Sequence, residues 1–402
     1  MARVAAPDGA RPVSYWLGLA AVVGLALLGL GFYGLQAARQ AGGFGFPLDD
    51  SWIHLQIARN LAGGQGWSFN PGELTGGATS PLWILLIAPL FYLGGDVTVW
   101  VKALGALLFV ANVLLAADVA GLATNDRRVG LVAGALAALQ PALIWTAFSG
   151  METTLYLLLF LLSLRNLLLV ERRGQRAAYA STATLALAGW ARPELWALLP
   201  LLWAYLVWRR RELATGRWWV HAAIAALAIG GFVAFNMALW AHPTPATLAA
   251  KQAHLIGAGQ ESAAIWLLTR ASRFFAGLDL LLRSQNIILL ACLAGLLFLI
   301  QRRPETGKRL PYLLGVIVIG VAVIALVNLG AVSFQTYRRA AHMLVSMNVL
   351  VAAGFVAVYD LLRRPAPEAG AAFQQDAAAR PWLRPRSDLW RDVVVIGLIA
   401  AA

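Results

Sequence analysis

The sequence has few charged residues, very few acidic ones and a single cysteine. Charged residues make up 13% of the 402 positions and only 19 are acidic, whereas 60% are hydrophobic and the mean hydropathy is +0.69. This composition excludes intrinsic disorder and an ordinary soluble domain, in which roughly 25% of residues are charged. Cys292 has no second cysteine with which to form an intramolecular disulfide. The chain is therefore predicted to be one polytopic membrane protein.

Apolar segments of the length that a bilayer requires recur along the chain. A break is predicted at Arg192-Pro193-Glu194, because the residue before a proline disfavours helix. Pro81–Leu93 is short and contains Pro89, so it is predicted to be a re-entrant or juxtamembrane element. The fold class is all-α, a polytopic transmembrane helical bundle, and its predicted spans are Ser14–Gln36, Val97–Ala120, Val129–Phe148, Thr154–Val170, Tyr179–Trp208 (interrupted), Trp218–Trp240, Asn286–Ile300, Leu310–Gly330, Ala341–Leu362 and the start of a final helix at residues 393–402.

The excess of basic residues sets the predicted orientation. The net charge is +13, which in a soluble protein would suggest nucleic-acid binding. In a membrane protein the cytoplasmic segments collect arginine and lysine. With the spans above, most basic residues fall on one side, so nucleic acid is not needed as a partner. The prediction is a multi-pass plasma-membrane protein with a cytoplasmic N-terminus, a first outer loop at residues 37–80, a second large outer loop at 241–285 and a cytoplasmic linker at 363–392.

Two adjacent carboxylates, Asp49 and Asp50, open the most informative stretch of the first outer loop. Apolar residues at helical spacing follow them, and Gly63-Gly64 ends the pattern. This pattern predicts a short amphipathic helix lying in the membrane interface. In the simpler interpretation, Asp50 or Ser51 is only a helix N-cap. That does not explain both carboxylates, which repel each other and are costly to desolvate beside a membrane.

Four further segments combine charge with an apolar setting on the same predicted side. Glu152 is either a ligand-binding acid or part of a solvated turn. Arg192 and Glu194 either line a wet cavity at a helix break or form a self-contained ion pair. Lys251 is either a point charge for phosphate or a snorkelling interface lysine. Arg338, with its neighbour Arg339, either binds an anionic headgroup or is an exposed interfacial arginine.

Together these motifs resemble polytopic GT-C glycosyltransferases. The likeness is greatest to the branch near the mycobacterial arabinofuranosyltransferases and to protein mannosyltransferase-like enzymes. It covers most of the chain and depends chiefly on the first outer loop. The matching residues are Asp49-Asp50, Ala58-Arg59-Asn60-Leu61, Gly66, Phe69-Asn70-Pro71-Gly72-Glu73, Thr79-Ser80-Pro81-Leu82-Trp83, Ser149–Thr153, Arg192-Pro193-Glu194, Thr247 to Lys251 and Tyr337-Arg338.

The resemblance implies a GT-C transmembrane catalytic module over residues 1–362, with interfacial helices in its first outer loop. It implies a hexosyl- or pentosyltransferase that takes its sugar from a polyprenyl-phosphate donor. The acceptor would be a glycan, a lipid or a protein, and the active site would face outward. Asp49 would act as the base with Asp50 as its helper. His54, Glu152 and Glu194 would bind the sugars, and the donor phosphate would be bound by Lys251, Arg192, Tyr337 and Arg338.

The resemblance requires no cofactor. A divalent metal is possible at the acidic residues, but it is not favoured, because a single-phosphate leaving group can depart without one. The rival function is a transporter or flippase of lipid-linked sugars. Transporters often carry internal repeats with matching helix breaks, and the sequence shows one break, at Pro193, with no counterpart.

Overall fold

The computed structural model describes residues 13–41, 45–215, 217–246, 272, 311–319 and 336–362. Within these ranges the regular structure is helical, apart from an isolated antiparallel bridge between Ser68 and Leu74. Residues 311–319 are also helical. The helices are α1 (Val13–Ala41), α2 (Asp49–Ala62), α3 (Pro81–Ile87), a 3-10 helix (Ala88–Leu93), α4 (Val97–Thr124), α5 (Arg127–Leu139), α6 (Pro141–Phe148), α7 (Thr153–Leu168), α8 (Val170–Arg173), α9 (Gln175–Ala191), a second 3-10 helix (Pro193–Leu198), α10 (Leu199–Arg209), α11 (Arg211–Thr215), α12 (Trp218–Trp240) and α13 (Thr336–Leu362).

Four helices in the described part of the chain are long and apolar enough to cross a membrane. They include all or most of α1, α4, α12 and α13. A fifth span is formed if α5 and α6 are counted as one, although they meet at an angle of 58°. Pro81–Leu93 and α7 are apolar but shorter. The predicted all-α polytopic bundle is confirmed.

Among the described residues, most predicted helix boundaries lie close to those of the structure, and the larger differences have simple causes. The predicted span Asn286–Ile300, most of Leu310–Gly330, the linker at 363–392 and the final helix at 393–402 lie outside the described residues. The helix Trp218–Trp240 has the predicted bounds, and α9 ends at Ala191, directly before the predicted break. The predicted span Val129–Phe148 is not one straight helix, because it is divided at Gln140 into α5 and α6. Pro141 disfavours helical geometry in the residue before it and begins the next helix at its first position. The first helix continues past Gln36 to Ala41.

The core of the bundle is built around α13. In its most apolar window 89% of the residues are buried, and it packs against α4, α5, α6 and α7. By contrast, α1 and α12 leave large apolar side chains exposed, as helices that face lipid do. Close packing in the core depends on small residues. A Cβ on Gly105 would lie 2.1 Å from the carbonyl oxygen of Ala147, so α4 can approach α6 only with glycine there.

Two different sets of charged residues lie at the two ends of the bundle. At one end, Arg128 binds Asp126 at 3.0 Å and Asp360 at 2.6 Å, which joins the start of α5 to the end of α13. Arg209 pairs with Glu171 between α10 and α8 at this end too. The start of α13, the start of α7 and the end of α9 lie at the opposite end, where α2 covers them.

The first outer loop folds onto that opposite end. As predicted, α2 ends before Gly63, and Asn70 to Glu73 form a turn in which the Glu73 N–H donates to the Asn70 carbonyl at 3.1 Å. Pro81–Leu93 does not form one straight helix. It consists of α3 and the first 3-10 helix, both packed against α2. This segment is too short to span a bilayer, in agreement with the expectation of a juxtamembrane or re-entrant element.

Candidate active site at the start of helices α2, α7 and α13

Both aspartates of the predicted pair lie in the first turn of α2. Leu48 occupies the N-cap position and provides no side-chain cap, so neither Asp50 nor Ser51 is the helix cap. The exposed Asp49 carboxylate accepts the backbone N–H of Asp50 at 2.9 Å. Both carboxylates therefore lie at the positive end of the α2 dipole, at the edge of the helical bundle.

Arg338 connects α13 to this pair. Its Nη2 donates to Asp50 Oδ2 at 2.8 Å across 288 residues of sequence. The arginine side chain is 6% exposed and the aspartate side chain 47% exposed. The interpretation of Arg338 as an exposed interfacial arginine is therefore wrong. Its Nε and Nη1 are buried and have no hydrogen-bond partner among the described residues. These two nitrogens are available to donate hydrogen bonds to an anion.

A second charged group lies beneath Arg338, where α7 begins and α9 ends. Arg192 Nη1 donates to Glu152 Oε1 at 2.7 Å, and Arg192 Nη2 donates to Glu194 Oε1 at 3.0 Å. Glu152 is fully buried, so it is not part of a solvated turn. The Arg192–Glu194 ion pair does exist, but it is not self-contained, because Arg192 also neutralises Glu152. Both terminal nitrogens of Arg192 are thus engaged by carboxylates.

Glu152 also approaches His54 on α2. His54 Nδ1 lies 3.9 Å from Glu152 Oε2, which is too far for a hydrogen bond. Burial lowers the pKa of His54, and the Glu152 carboxylate offsets this only in part, so the imidazole is neutral near pH 7. Burial is the largest single effect on the pKa of Glu152 and raises it, but the charges of Arg192, His54 and Arg338 and the hydrogen bond from Arg192 together outweigh burial, so the pKa lies below its ordinary value. Within the described structure, His54 Nδ1 and Glu152 Oε2 both lack a hydrogen-bond partner.

Two aromatic residues that were not predicted from the sequence complete this group. The Tyr156 hydroxyl donates to the backbone carbonyl of Arg338, and the Arg192 guanidinium lies 6.0 Å from the centre of the Tyr156 ring. His342 packs edge-on against Tyr156 at 6.1 Å. Spacing could have identified both, since Tyr156 follows Glu152 by four residues and His342 follows Arg338 by four. Residues four apart share a helix face.

The turn between α6 and α7 holds α2 and α3 in place over this group. Ser51 Oγ donates to the carbonyl of Ser149 at 2.5 Å, and Trp83 Nε1 donates to the carbonyl of Gly150 at 3.0 Å. Gly150 has φ of +73°, and a Cβ there would lie 2.6 Å from the Phe46 ring. The Ser-Gly-Met-Glu turn is thereby built to present Glu152 inward.

Replacing Gly150 with alanine should destabilise the protein by about 2–5 kcal/mol. Left-handed backbone costs a non-glycine residue roughly 1–2 kcal/mol, and the clash with Phe46 adds about 1–3 kcal/mol. Gly64→Ala is the matched control, because Gly64 has φ of +74° but open space around its Cβ position. SDS titration of the purified protein measures both. Equal losses in the two variants would show that the contact with Phe46 contributes nothing.

The structure brings together six of the nine residues that were predicted to form the site. They are Asp50, His54, Glu152, Arg192, Glu194 and Arg338, with Asp49 adjacent in the first turn of α2. Lys251 and the side chain of Tyr337 lie outside the described residues. In the part of the chain that is described, no three His, Cys, Asp or Glu side chains are arranged to hold a metal ion.

The sequence matches no protein-family model and no curated protein. The fold, however, is similar to solved structures of an archaeal oligosaccharyltransferase from Archaeoglobus fulgidus. The crystal structure of its apo form matches with a TM-score of 0.59 and 13% identity, covering 96% of this chain and 55% of that one. The oligosaccharyltransferase AglB in complex with an inhibitory peptide and a dolichol-phosphate matches with a TM-score of 0.53 and 14% identity, covering 88% and 50%.

The chain thus has the membrane fold of these oligosaccharyltransferases and spans about half their length. Both structures are oligosaccharyltransferases, so they give no support to the predicted likeness to the arabinofuranosyltransferase branch. At 13–14% identity the similarity concerns the fold alone.

Proposed function

We propose that the chain is a membrane glycosyltransferase that moves a sugar from a polyprenyl-phosphate donor to an acceptor hydroxyl on the extracytoplasmic side. The observation that carries the proposal is the buried guanidinium of Arg338. It holds one of the two α2 aspartates and still has two buried donor nitrogens that find no partner among the described residues. Unpartnered buried donors are costly unless a ligand completes them. The dolichol-phosphate in the AglB complex supports the same class of lipid phosphate here.

Arg338 rather than Arg192 is assigned to the donor phosphate. Both terminal nitrogens of Arg192 already donate to Glu152 and Glu194, so its role is to position these acids. Lys251 and Tyr337 remain predicted additional ligands of the phosphate. Charge-assisted hydrogen bonds from a guanidinium suit phosphate oxygens and stabilise the charge that develops on the leaving group.

The donor sugar is assigned to the acids beneath the phosphate. His54 Nδ1 and Glu152 Oε2 are both buried, 3.9 Å apart and without a hydrogen-bond partner in the described part of the chain, so one sugar hydroxyl between them would satisfy both atoms. Glu194 is the third predicted sugar ligand, and its side chain is 30% exposed beside Arg192. These groups would hold the anomeric carbon under the first turn of α2.

The reaction is a single displacement. The Asp49 carboxylate accepts the proton of the acceptor hydroxyl while the oxygen forms a bond to the anomeric carbon. The bond from that carbon to the phosphate oxygen breaks, and its electron pair leaves with polyprenyl phosphate, next to Arg338. The anomeric centre is inverted, and no covalent enzyme intermediate forms. A metal is not assigned, since the Arg338 guanidinium already neutralises charge on the phosphate. Sugar transfer should therefore persist when EDTA removes divalent metals.

The orientation is also part of the proposal. The candidate site and the arginine clusters at residues 127–128, 172–173 and 209–211 lie at opposite ends of the bundle. Because basic residues mark the cytoplasmic side, the site would face outward. The proposal includes a multi-pass location in the plasma membrane and a cytoplasmic N-terminus.

Transfer of label from defined donors tests the function. Proteoliposomes with the purified chain would receive polyprenyl-phosphate-linked pentoses and hexoses together with mixed glycan, lipid and peptide acceptors. Incorporation of label that depends on the chain is the expected result. If no donor is consumed but donor crosses the bilayer, the rival flippase function is correct and the transferase is wrong.

Replacing Arg338 with lysine should weaken binding of polyprenyl phosphate about tenfold to a hundredfold. Lysine keeps the charge but cannot hold Asp50 and a phosphate with separate nitrogens, and one charged hydrogen bond is worth roughly 1.5–3 kcal/mol. Arg128→Lys is the matched control, because Arg128 also binds carboxylates but at the other end of the bundle. Binding is measured by microscale thermophoresis in nanodiscs. Equal affinities of Arg338→Lys and Arg128→Lys would contradict the phosphate assignment.

A further inference from the structure

A second concave site lies on α2, away from the charged group described above. It is a cavity of about 380 Å³ between α2, the first 3-10 helix and the start of α4. Its volume lies within the 300–1,000 Å³ of typical small-molecule sites. Its lining combines apolar, aromatic, amide and charged side chains, which include Trp52, Leu55, Gln56, Arg59, Phe91 and Asp96.

The geometry of α2 places this cavity beside the proposed base. Asp50 and His54, four residues apart, face the charged group, whereas Trp52, Gln56 and Arg59 face the cavity. Asp49 precedes Trp52 by three residues, and side chains at this spacing are neighbours on a helix surface, with Cβ atoms about 5–6 Å apart. The cavity therefore opens within one helical turn of Asp49.

The walls of the cavity are held in place by contacts outside it. The Trp52 ring packs against the buried Phe46 ring, with centres 5.2 Å apart and planes at 60°. Asp96 Oδ1 accepts the backbone N–H of Thr98 at 2.9 Å and its hydroxyl at 2.8 Å. The Tyr92 hydroxyl donates to the carbonyl of Ala62 at 2.6 Å and ties the 3-10 helix to α2. A preformed site loses little entropy when it binds a ligand.

We propose that this cavity binds the acceptor as a saccharide, so that a glycan, rather than a lipid, receives the sugar. The proposal rests on the proposed function. The cavity offers an aromatic face from Trp52, which is 44% exposed, together with an amide and charges of both signs. Hydroxyl groups both donate and accept, so they can pair with Asp96 and with Arg59.

Other ligand classes fit this lining less well. An alkyl chain would desolvate Arg59 and Asp96 without giving either a hydrogen bond, which is costly. A phosphate would be repelled by the Asp96 carboxylate. A neutral polyhydroxylated ring satisfies the polar groups and covers the exposed indole at the same time.

Saturation-transfer-difference NMR tests the site without donor or turnover. The full chain in nanodiscs is titrated with maltose, cellobiose, lactose and α-1,6-mannobiose. At least one disaccharide should give a saturation-transfer-difference signal. Its affinity should fall about tenfold in Trp52→Ala, because stacking on the indole is lost. It should also fall in Arg59→Ala, whereas Trp219→Ala, a change in an exposed tryptophan of α12, should leave it unaltered.

The two proposals fail in different ways. If no disaccharide receives saturation, or if Trp52→Ala and Arg59→Ala bind like the unaltered protein, the saccharide site is wrong whatever the transfer assay shows. If a disaccharide binds as expected but no donor is consumed in proteoliposomes, the glycosyltransferase proposal is wrong and the saccharide site remains. Thermal unfolding of each variant confirms that loss of binding is not loss of fold.

Discussion

Asp49→Asn should lower the rate of sugar transfer by about 10²–10⁴, the contribution expected of a general base. Asparagine has the same shape, can still accept the Asp50 N–H and cannot take a proton from the acceptor. Because Asp49 is exposed and the phosphate is assigned to Arg338, binding of polyprenyl phosphate should stay within about twofold of the original value, less than 0.5 kcal/mol. Initial rates with saturating donor, together with donor affinity, measure the two effects separately.

Glu73→Gln is the control for this change. Glu73 belongs to the same outer loop and is acidic, but it lies in the Asn70–Glu73 turn, where its carboxylate accepts from the Asn70 side chain at 3.2 Å. Transfer should be unchanged in this variant. Undiminished transfer in Asp49→Asn would show that another group is the base.

Replacing Arg192 with methionine should destabilise the protein by about 3–5 kcal/mol. The change leaves the fully buried Glu152 carboxylate without its cation, and an uncompensated buried charge carries this cost. Arg165→Met is the matched control, since Arg165 pairs with Asp118 at 2.6 Å but the two side chains are 30% and 25% exposed. A pair of that kind is worth about 1 kcal/mol or less. SDS titration or thermal unfolding measures the difference.

A second substitution separates charge from packing at this position. Glu152→Gln in the Arg192→Met background removes the unpaired buried carboxylate and should recover a large part of the lost stability. Transfer should not recover, because the sugar then lacks a carboxylate ligand. If Arg192→Met is no less stable than Arg165→Met, the buried ion pair does not hold α7 and α9 together as the structure indicates.

The helices were largely predictable from the sequence because a bilayer fixes their length and their apolarity. The boundaries of α12 follow from composition alone, and the break before Pro193 follows from the restriction that proline places on Arg192. Pro141 marks the division between α5 and α6, but Val129–Phe148 is apolar throughout and was therefore predicted as one span. Proline is well tolerated at the first position of a helix, and hydropathy does not distinguish one continuous helix from two helices that meet at a proline.

The candidate site was predicted residue by residue but not as an arrangement. Charges in apolar surroundings identify Glu152, Arg192 and Arg338 as unusual, because they are expensive at such positions. Their partners follow from the packing of α7 against α9 and of α2 over α13, which no local pattern encodes. Tyr156 was missed because a tyrosine in an apolar run is ordinarily an interface or core residue. The cavity at Trp52 depends on the 3-10 helix beside it and could not be inferred.

An experimental structure of the chain with bound polyprenyl phosphate shows whether the aspartates of α2 and the arginine of α13 form one lipid-phosphate site. The phosphate should lie within about 2.7–3.2 Å of Arg338 Nε or Nη1, beside Asp50 and facing Asp49. A phosphate bound elsewhere in the bundle, with Arg338 still contacting Asp50 alone, would contradict this arrangement.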